Sequence, residues 1–215
     1  MRIGILGSGL MGGKLGTLFA RAGHEVVFSY ARSERKLKRL AREVKGTARA
    51  GTPGDAVRDS DVLLLAVHWS RVEDVLKQAG DLKGKIIVSC SLPMNAEDTK
   101  LAVAHTTSGA EVIAKRIRGA ELVSAFNTVP SEVLFPVFEA RRKAKRRPSL
   151  VYCGNDQDSK EVAAELIRDV GFDPVDLGPL WVARYTEPFA LLIARLAYEG
   201  DRGPELAYRF EWPGT

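Results

Sequence analysis

Apolar residues recur along the chain in two alternating periods. Short runs that are apolar at nearly every position predict strands over 2–6, 25–29, 62–67, 85–90, 121–125, 149–153 and 172–176. Between them, apolar positions three and four apart predict helices over 11–22, 34–45, 53–59, 70–79, 109–118, 131–139, 157–170 and 180–199. A strand such as Val62-Leu63-Leu64-Leu65-Ala66-Val67 has no polar face. It therefore belongs in a sheet covered by helices on both sides, and the strand–helix alternation makes that sheet mainly parallel. The helix starts agree. Thr52 before Pro53 is a cap followed by proline in the first turn, and Ser108 with Glu111 has the spacing of a capping box.

A chain of 215 residues, 45% of them hydrophobic, builds one sizeable domain and leaves no room for a second catalytic one. No internal repeat divides it. The run 141–147 carries six lysines and arginines, ends at Pro148 and lies between a predicted helix and a predicted strand, so it reads as a solvated loop and not as a linker. The tail beyond Gly200, with Gly203, Pro204, Pro213 and Gly214, is expected to wrap loosely or to pack on a neighbouring subunit. Apolar runs are far shorter than the roughly 20 residues of a bilayer span. With no charged leader ahead of the first strand, the expectation is a cytoplasmic protein without a membrane partner. Cys90 and Cys153 lack the spacing and the nearby histidines of a metal site, so no metal is expected and both read as buried thiols. A formal charge of +5 favours anionic partners, yet leaves phosphate-rich cofactors and nucleic acid equally admissible.

The first strand runs directly into Gly7-Ser8-Gly9-Leu10-Met11-Gly12, and an amphipathic helix follows through Leu15, Leu18 and Phe19. This is the context a G-x-G-x-x-G motif needs to bind a dinucleotide. Gly7 allows the tight turn, Gly9 lets a pyrophosphate approach the backbone, and Gly12 with Gly16 lets the helix lie close to the sheet, its N-terminus facing the phosphates. The fold class is thus α/β, a Rossmann-type doubly wound sheet. NAD-specific sites place a carboxylate at the end of the second strand, where this chain has Phe28-Ser29-Tyr30-Ala31-Arg32-Ser33. Ser29 and Ser33 can donate to a 2′-phosphate and Arg32 with Lys36 can neutralise it, which points to NADP(H). The competing reading makes Arg32 one more charge on a basic helix.

With these blocks in place the sequence resembles the NADPH-dependent F420 reductase family, also called F420H2:NADP oxidoreductase, and the related nucleotide domain of the STEAP ferric reductases. The resemblance rests on the glycine loop, Ala66-Val67-His68-Trp69, Ser89-Cys90-Ser91-Leu92-Pro93, Val123 to Pro130, Val151 to Asp156, and Gly171 to Leu180 leading into Ala183-Arg184. It spans nearly the whole chain. It implies one domain over 1–215 with residues 178–215 as a small C-terminal helical lobe, a homodimer, and hydride transfer between NADP(H) and coenzyme F420 or a flavin such as FMN or FAD. Two stacked rings exchange hydride without a side-chain acid or base, so the protein supplies binding and orientation. The sequence departs from the archaeal pattern at His68, where proline usually precedes the tryptophan, and in its longer basic run.

The remaining candidates sit at predicted strand ends, where open α/β sheets hold ligands. Val67 and His68 are expected to meet nicotinamide or ribose. Ser91, Pro93 and Asn127 offer the cofactor a rigid wall and polar groups. Trp69, Pro93, Asn127, Thr128 and, by the resemblance, Trp181 are expected to line the second-substrate pocket. His68 also reads as an ordinary strand-end histidine, and Trp69 as an aromatic closing the core. No catalytic dyad stands out. An NADPH-dependent reductase of a small carbonyl or imine, and a non-catalytic NADP-binding regulator, are the alternatives. The chain has no helix-turn-helix pattern to support nucleic-acid binding.

Overall fold

The computed structural model describes residues 1–31 and 33–214. In chain order they form β1 (Arg2–Leu6), α1 (Leu10–Ala22), β2 (Glu25–Ser29), α2 (Glu34–Glu43), β3 (Ala48–Ala50), α3 (Pro53–Arg58), β4 (Val62–Leu65) and α4 (Val72–Ala79). There follow β5 (Ile86–Ser89), α5 (Gly109–Arg116), β6 (Glu121–Ala125), α6 (Leu134–Ala140), β7 (Ser149–Gly154), α7 (Gln157–Asp169), β8 (Asp173–Asp176) and α8 (Ala183–Tyr198). Short 3-10 turns at Trp69–Arg71, Ser131–Val133 and Leu180–Val182 lead into α4, α6 and α8.

The strands make one sheet in the order β3-β2-β1-β4-β5-β6-β7-β8, parallel except where β6 meets β7. Ile5 of β1 stands beside Phe28 on one side and Leu64 on the other. The chain winds outward from β1 through β2 to β3, then crosses back to β4. The strand order therefore reverses between β1 and β4, and the crevice for a ligand opens beyond their carboxyl ends. Ile3, Ile5, Phe28 and Leu64 face one core with Leu15, Phe19 and Phe126, whereas Leu6, Leu63, Leu65 and Ile87 face a second with Val75 and Ile113. Burial on both faces is why these strands carry no polar alternation.

Two features depart from the sequence reading. The edge strand β3 is three residues long with Arg49 at its centre, too short and too polar to register as an apolar run. The antiparallel orientation of β7 leaves no trace, because all six of its residues are buried and such a strand reads alike in either direction.

The caps show how the C-terminal segment is fastened. At α3 the reciprocal capping box between Thr52 and Asp55 forms completely. At α5 only half of the expected box forms: Ser108 accepts from the Glu111 N–H, while the Glu111 carboxylate turns to the Arg184 guanidinium of α8, 2.7 and 2.9 Å away. The N–H groups of Gly109 and Ala110 donate instead to the Glu187 carboxylate of α8, both at 2.9 Å. Beyond α8 the tail folds back on its own chain. The Ser149 N–H donates to the Tyr208 carbonyl at 2.8 Å, and the Tyr208 and Thr128 hydroxyls hydrogen-bond at 2.7 Å. Among the described residues no helix is long and apolar enough to cross a membrane.

Candidate functional site

The glycine loop is dictated by contacts that side chains would break. Gly7 has φ +115°, and a Cβ there would sit 2.4 Å from the Ala66 carbonyl oxygen. Gly12 is as tightly constrained, since its Cβ would fall 2.0 Å from the Gly7 oxygen. Gly9 is the opposite case: a Cβ would meet nothing within 4 Å, so the backbone here faces open space. Just beyond it, α1 begins with no side-chain cap and no acidic residue in its first turn. The N–H groups of Leu10, Met11 and Gly12 precede the first helical donor, the Gly13 N–H bonded to the Gly9 carbonyl, and carry the positive end of the helix dipole. An open glycine beside an uncapped helix N-terminus fits the diphosphate of a dinucleotide.

A cavity of about 1050 Å³ opens from this loop across the ends of β2 and β3 to the first turn of α4. Gly7, Gly9, Lys36, Val67, His68 and Arg71 are among its walls. Six charged side chains face it, and three of them sit in ion pairs. Glu34 pairs with Lys38 at 2.7 Å, and Asp55 is committed to the Thr52 cap and to Arg58 at 2.6 Å. Asp74 accepts from the Tyr30 hydroxyl and from Gln78 at 3.1 Å, bonds that hold its carboxyl below the usual range. Burial and the Asp74 bond push the Tyr30 phenol up to about 12. Lys36 and Arg71 form no salt bridge among the described residues, and Arg71 is close enough to Asp74 to help hold its carboxyl down. Anions are favoured beside Lys36.

The structure sorts the predicted residues into three groups. Gly7, Ser8, Gly9, Lys36, Val67 and His68 line the cavity, with Leu10, Met11 and Gly12 in the adjoining helix turn. Ser33 caps α2 by accepting from the Lys36 N–H, which leaves its own hydroxyl proton to donate. Arg32 lies outside the described residues.

Ser29 needs correction. It is fully buried, and its hydroxyl donates to the Ile5 carbonyl at 2.7 Å, so it has no proton for a 2′-phosphate. The Ser8 hydroxyl likewise donates to the Ser29 carbonyl at 2.8 Å, and its N–H faces the carbonyls of Ser29 and Tyr30, so this residue shapes the turn.

The third group lies outside the cavity: Ser91, Pro93, Asn127, Thr128, Trp69 and Trp181. Most are occupied structurally. The Ser91 hydroxyl donates to the Val67 carbonyl at 2.8 Å, and the Thr128 hydroxyl is engaged by Tyr208. Pro93 is buried against Gly109, whose Cβ would lie 2.9 Å from the proline ring. Asn127 donates to Ser124 at 3.2 Å and keeps its amide oxygen free to accept. Trp69 packs on the second core, while Trp181, 47% exposed, meets Tyr185 edge-on. Burial pushes both cysteine thiols up to about 12, which removes them as nucleophiles.

Residues 2–93, the glycine loop and most of the cavity wall, match the model of the family described as NADP oxidoreductase, coenzyme F420-dependent. Over 190 residues, 88% of this chain, the protein is 30% identical to metalloreductase STEAP3 of Rattus norvegicus. The matched stretch is 36% of that relative's length, so the chain corresponds to about a third of it. Its fold is shared with a candidate F420-dependent NADP-reductase from Arthrobacter sp. FB24, at TM-score 0.85 and 23% identity over 99% of this chain and all of the other. It is also shared with a reductive aminase from Aspergillus terreus in complex with NADPH and ethyl-5-oxohexanoate, at TM-score 0.65 and 18% identity over 90% of this chain and 60% of that one.

Sequence reasoning missed Tyr30, Arg71 and Asp74 as cavity residues. Arg71 stands one helical turn beyond His68, a spacing that was available as a signal. The Tyr30–Asp74 contact joins residues 44 apart, and no local pattern announces it.

Proposed function

We propose that the protein transfers hydride between NADP(H) and a deazaflavin, coenzyme F420, or a flavin. The match of residues 2–93 to F420-dependent NADP oxidoreductases carries this reading. The open backbone at Gly9 and the uncapped start of α1 support it independently. Bound NADPH supplies the hydride, while the chain binds the diphosphate, neutralises the 2′-phosphate through Lys36 and Arg32, and places the nicotinamide towards Val67 and His68. Ring-to-ring transfer asks for no side-chain acid, in keeping with the two inert cysteines. The apolar side chains exposed on α8, Tyr185, Leu192 and Leu196, suit a homodimer interface. Purified protein assayed with NADPH and separate F420, FMN, FAD, ketone and imine acceptors tests the assignment. Steady turnover with F420 or a flavin upholds it, and turnover confined to ketones or imines replaces it.

One observation favours that second reading. His68 lines the cavity with one ring nitrogen 2.8 Å from the Ser70 hydroxyl and the other 2.9 Å from the Asp98 carboxylate, an arrangement able to deliver a proton to a carbonyl oxygen or imine nitrogen. In a carbonyl reductase His68→Ala depresses turnover. With a flavin or deazaflavin acceptor it changes turnover less than about threefold, because no proton from His68 is required.

For the cofactor, Lys36→Glu and Arg32→Glu are each expected to weaken NADPH by about 10-fold to 150-fold, the worth of one charge-assisted phosphate contact. NADH affinity changes little. Titration calorimetry of both nucleotides checks the pair, and equal loss for NADH and NADPH removes the two residues from the 2′-phosphate site.

A further inference from the structure

Arg71 ends the 3-10 turn Trp69–Arg71 and projects into the cavity. Its backbone N–H donates to the His68 carbonyl at 2.8 Å, but its guanidinium has no hydrogen-bond or ion-pair partner among the described residues. Nearby, Tyr30 leaves the end of β2 in the left-handed conformation at φ +52° and hydrogen-bonds through its hydroxyl to Asp74 of α4. This bridge links the residue after β2 to α4, and both of its ends line the cavity. Of the carboxylates facing this space Asp55 is paired with Arg58, whereas Asp74 is hydrogen-bonded to neutral groups and sets a negative charge beside Arg71. Pro53 adds an apolar surface to the same cavity, which suits a flat, uncharged ring.

We propose that Arg71 stacks its guanidinium plane on the adenine of NADP(H), holding the base against the Tyr30–Asp74 bridge. The inference rests on the NADP(H) reading above. It gives the α4 wall a task separate from that of Ser33 and Lys36, which hold the 2′-phosphate at the start of α2. Arginine suits the task because its guanidinium is planar and weakly hydrated, whereas the compact ammonium of lysine is neither.

Calorimetry on the full chain with two adenosine fragments, 5′-AMP and 2′,5′-ADP, separates the two tasks. Arg71→Ala is expected to weaken both fragments alike, by about 5-fold to 30-fold, and NADPH by a similar factor. Arg71→Lys recovers less than half of that loss on a logarithmic scale. Lys36→Ala weakens 2′,5′-ADP alone. Arg71 is exposed, and an unchanged melting curve shows that its variants remain folded. The assignment is overturned if Arg71→Ala affects only 2′,5′-ADP in a salt-sensitive way, which marks a phosphate contact, or if neither fragment responds. Wild-type protein that is folded yet binds neither NADPH nor 2′,5′-ADP overturns the NADP(H) reading itself.

Discussion

Gly9→Asp is expected to abolish NADPH binding while leaving the melting temperature within about 2 °C of the wild type, the scale of a surface substitution. A Cβ at Gly9 meets no atom of the chain within 4 Å, so the substitution adds no clash to the folded protein. The new carboxylate would project where the diphosphate must approach the first turn of α1. It displaces contacts to that turn and sets like charges against each other, so a loss of at least about 100-fold is expected from one or two charge-assisted hydrogen bonds. Gly7→Ala should behave in the opposite order. Its Cβ would lie 2.4 Å from the Ala66 oxygen on a backbone at φ +115°, which costs stability before it costs affinity. Calorimetry and thermal melts on both variants give the comparison. A Gly9 variant that melts normally and still binds NADPH removes the diphosphate from this loop.

The difference between these glycines also shows which parts of the site were legible in the sequence. The motif, its place after a strand and the helix behind it were readable because each is a local pattern. Every long helix and every central strand followed from apolar spacing, with ends displaced by a few residues where 3-10 turns precede α4, α6 and α8. Side-chain direction was not readable. Ser29 looked like a phosphate donor from its position at a strand end, but as the last residue of β2 it alternates inward, and its hydroxyl reaches the Ile5 carbonyl of the neighbouring strand. Thr128 looked free for a ligand until the tail, 80 residues later, brought Tyr208 to it. Arg71 was hidden for a related reason. An unpaired cation is recognisable only after the partners of its neighbours are known, and the Tyr30 hydroxyl at Asp74 comes from another strand.

Glu187→Gln is expected to flatten a pH dependence of stability that the wild type shows between about pH 4.5 and 7. The carboxylate is 1% exposed on α8. Burial raises its pKa from 4.5 to about 7 against the two N–H bonds from Gly109 and Ala110, which favour the charged form, and the nearby Glu111 adds to the rise. Between those values the folded chain holds a proton that the unfolded chain has released, so raising the pH favours unfolding. The stabilisation is complete below about pH 4.5 and is lost as the pH passes about 7. The interval is worth roughly 3 kcal/mol, or roughly 6 to 12 °C in melting temperature for a chain of this size. Glutamine carries no titrating proton, so the difference between the two melting curves should change across this window and stay constant above it. Glu187→Ala, which leaves two helix N–H groups unsatisfied, should melt lower than wild type at every pH. Parallel profiles for wild type and Glu187→Gln would show that Glu187 does not titrate in this window. The consequence reaches beyond α8, because α5 begins at Gly109 against the Pro93 ring. The Glu187 carboxyl group that docks α8 therefore also holds the start of α5 against Pro93.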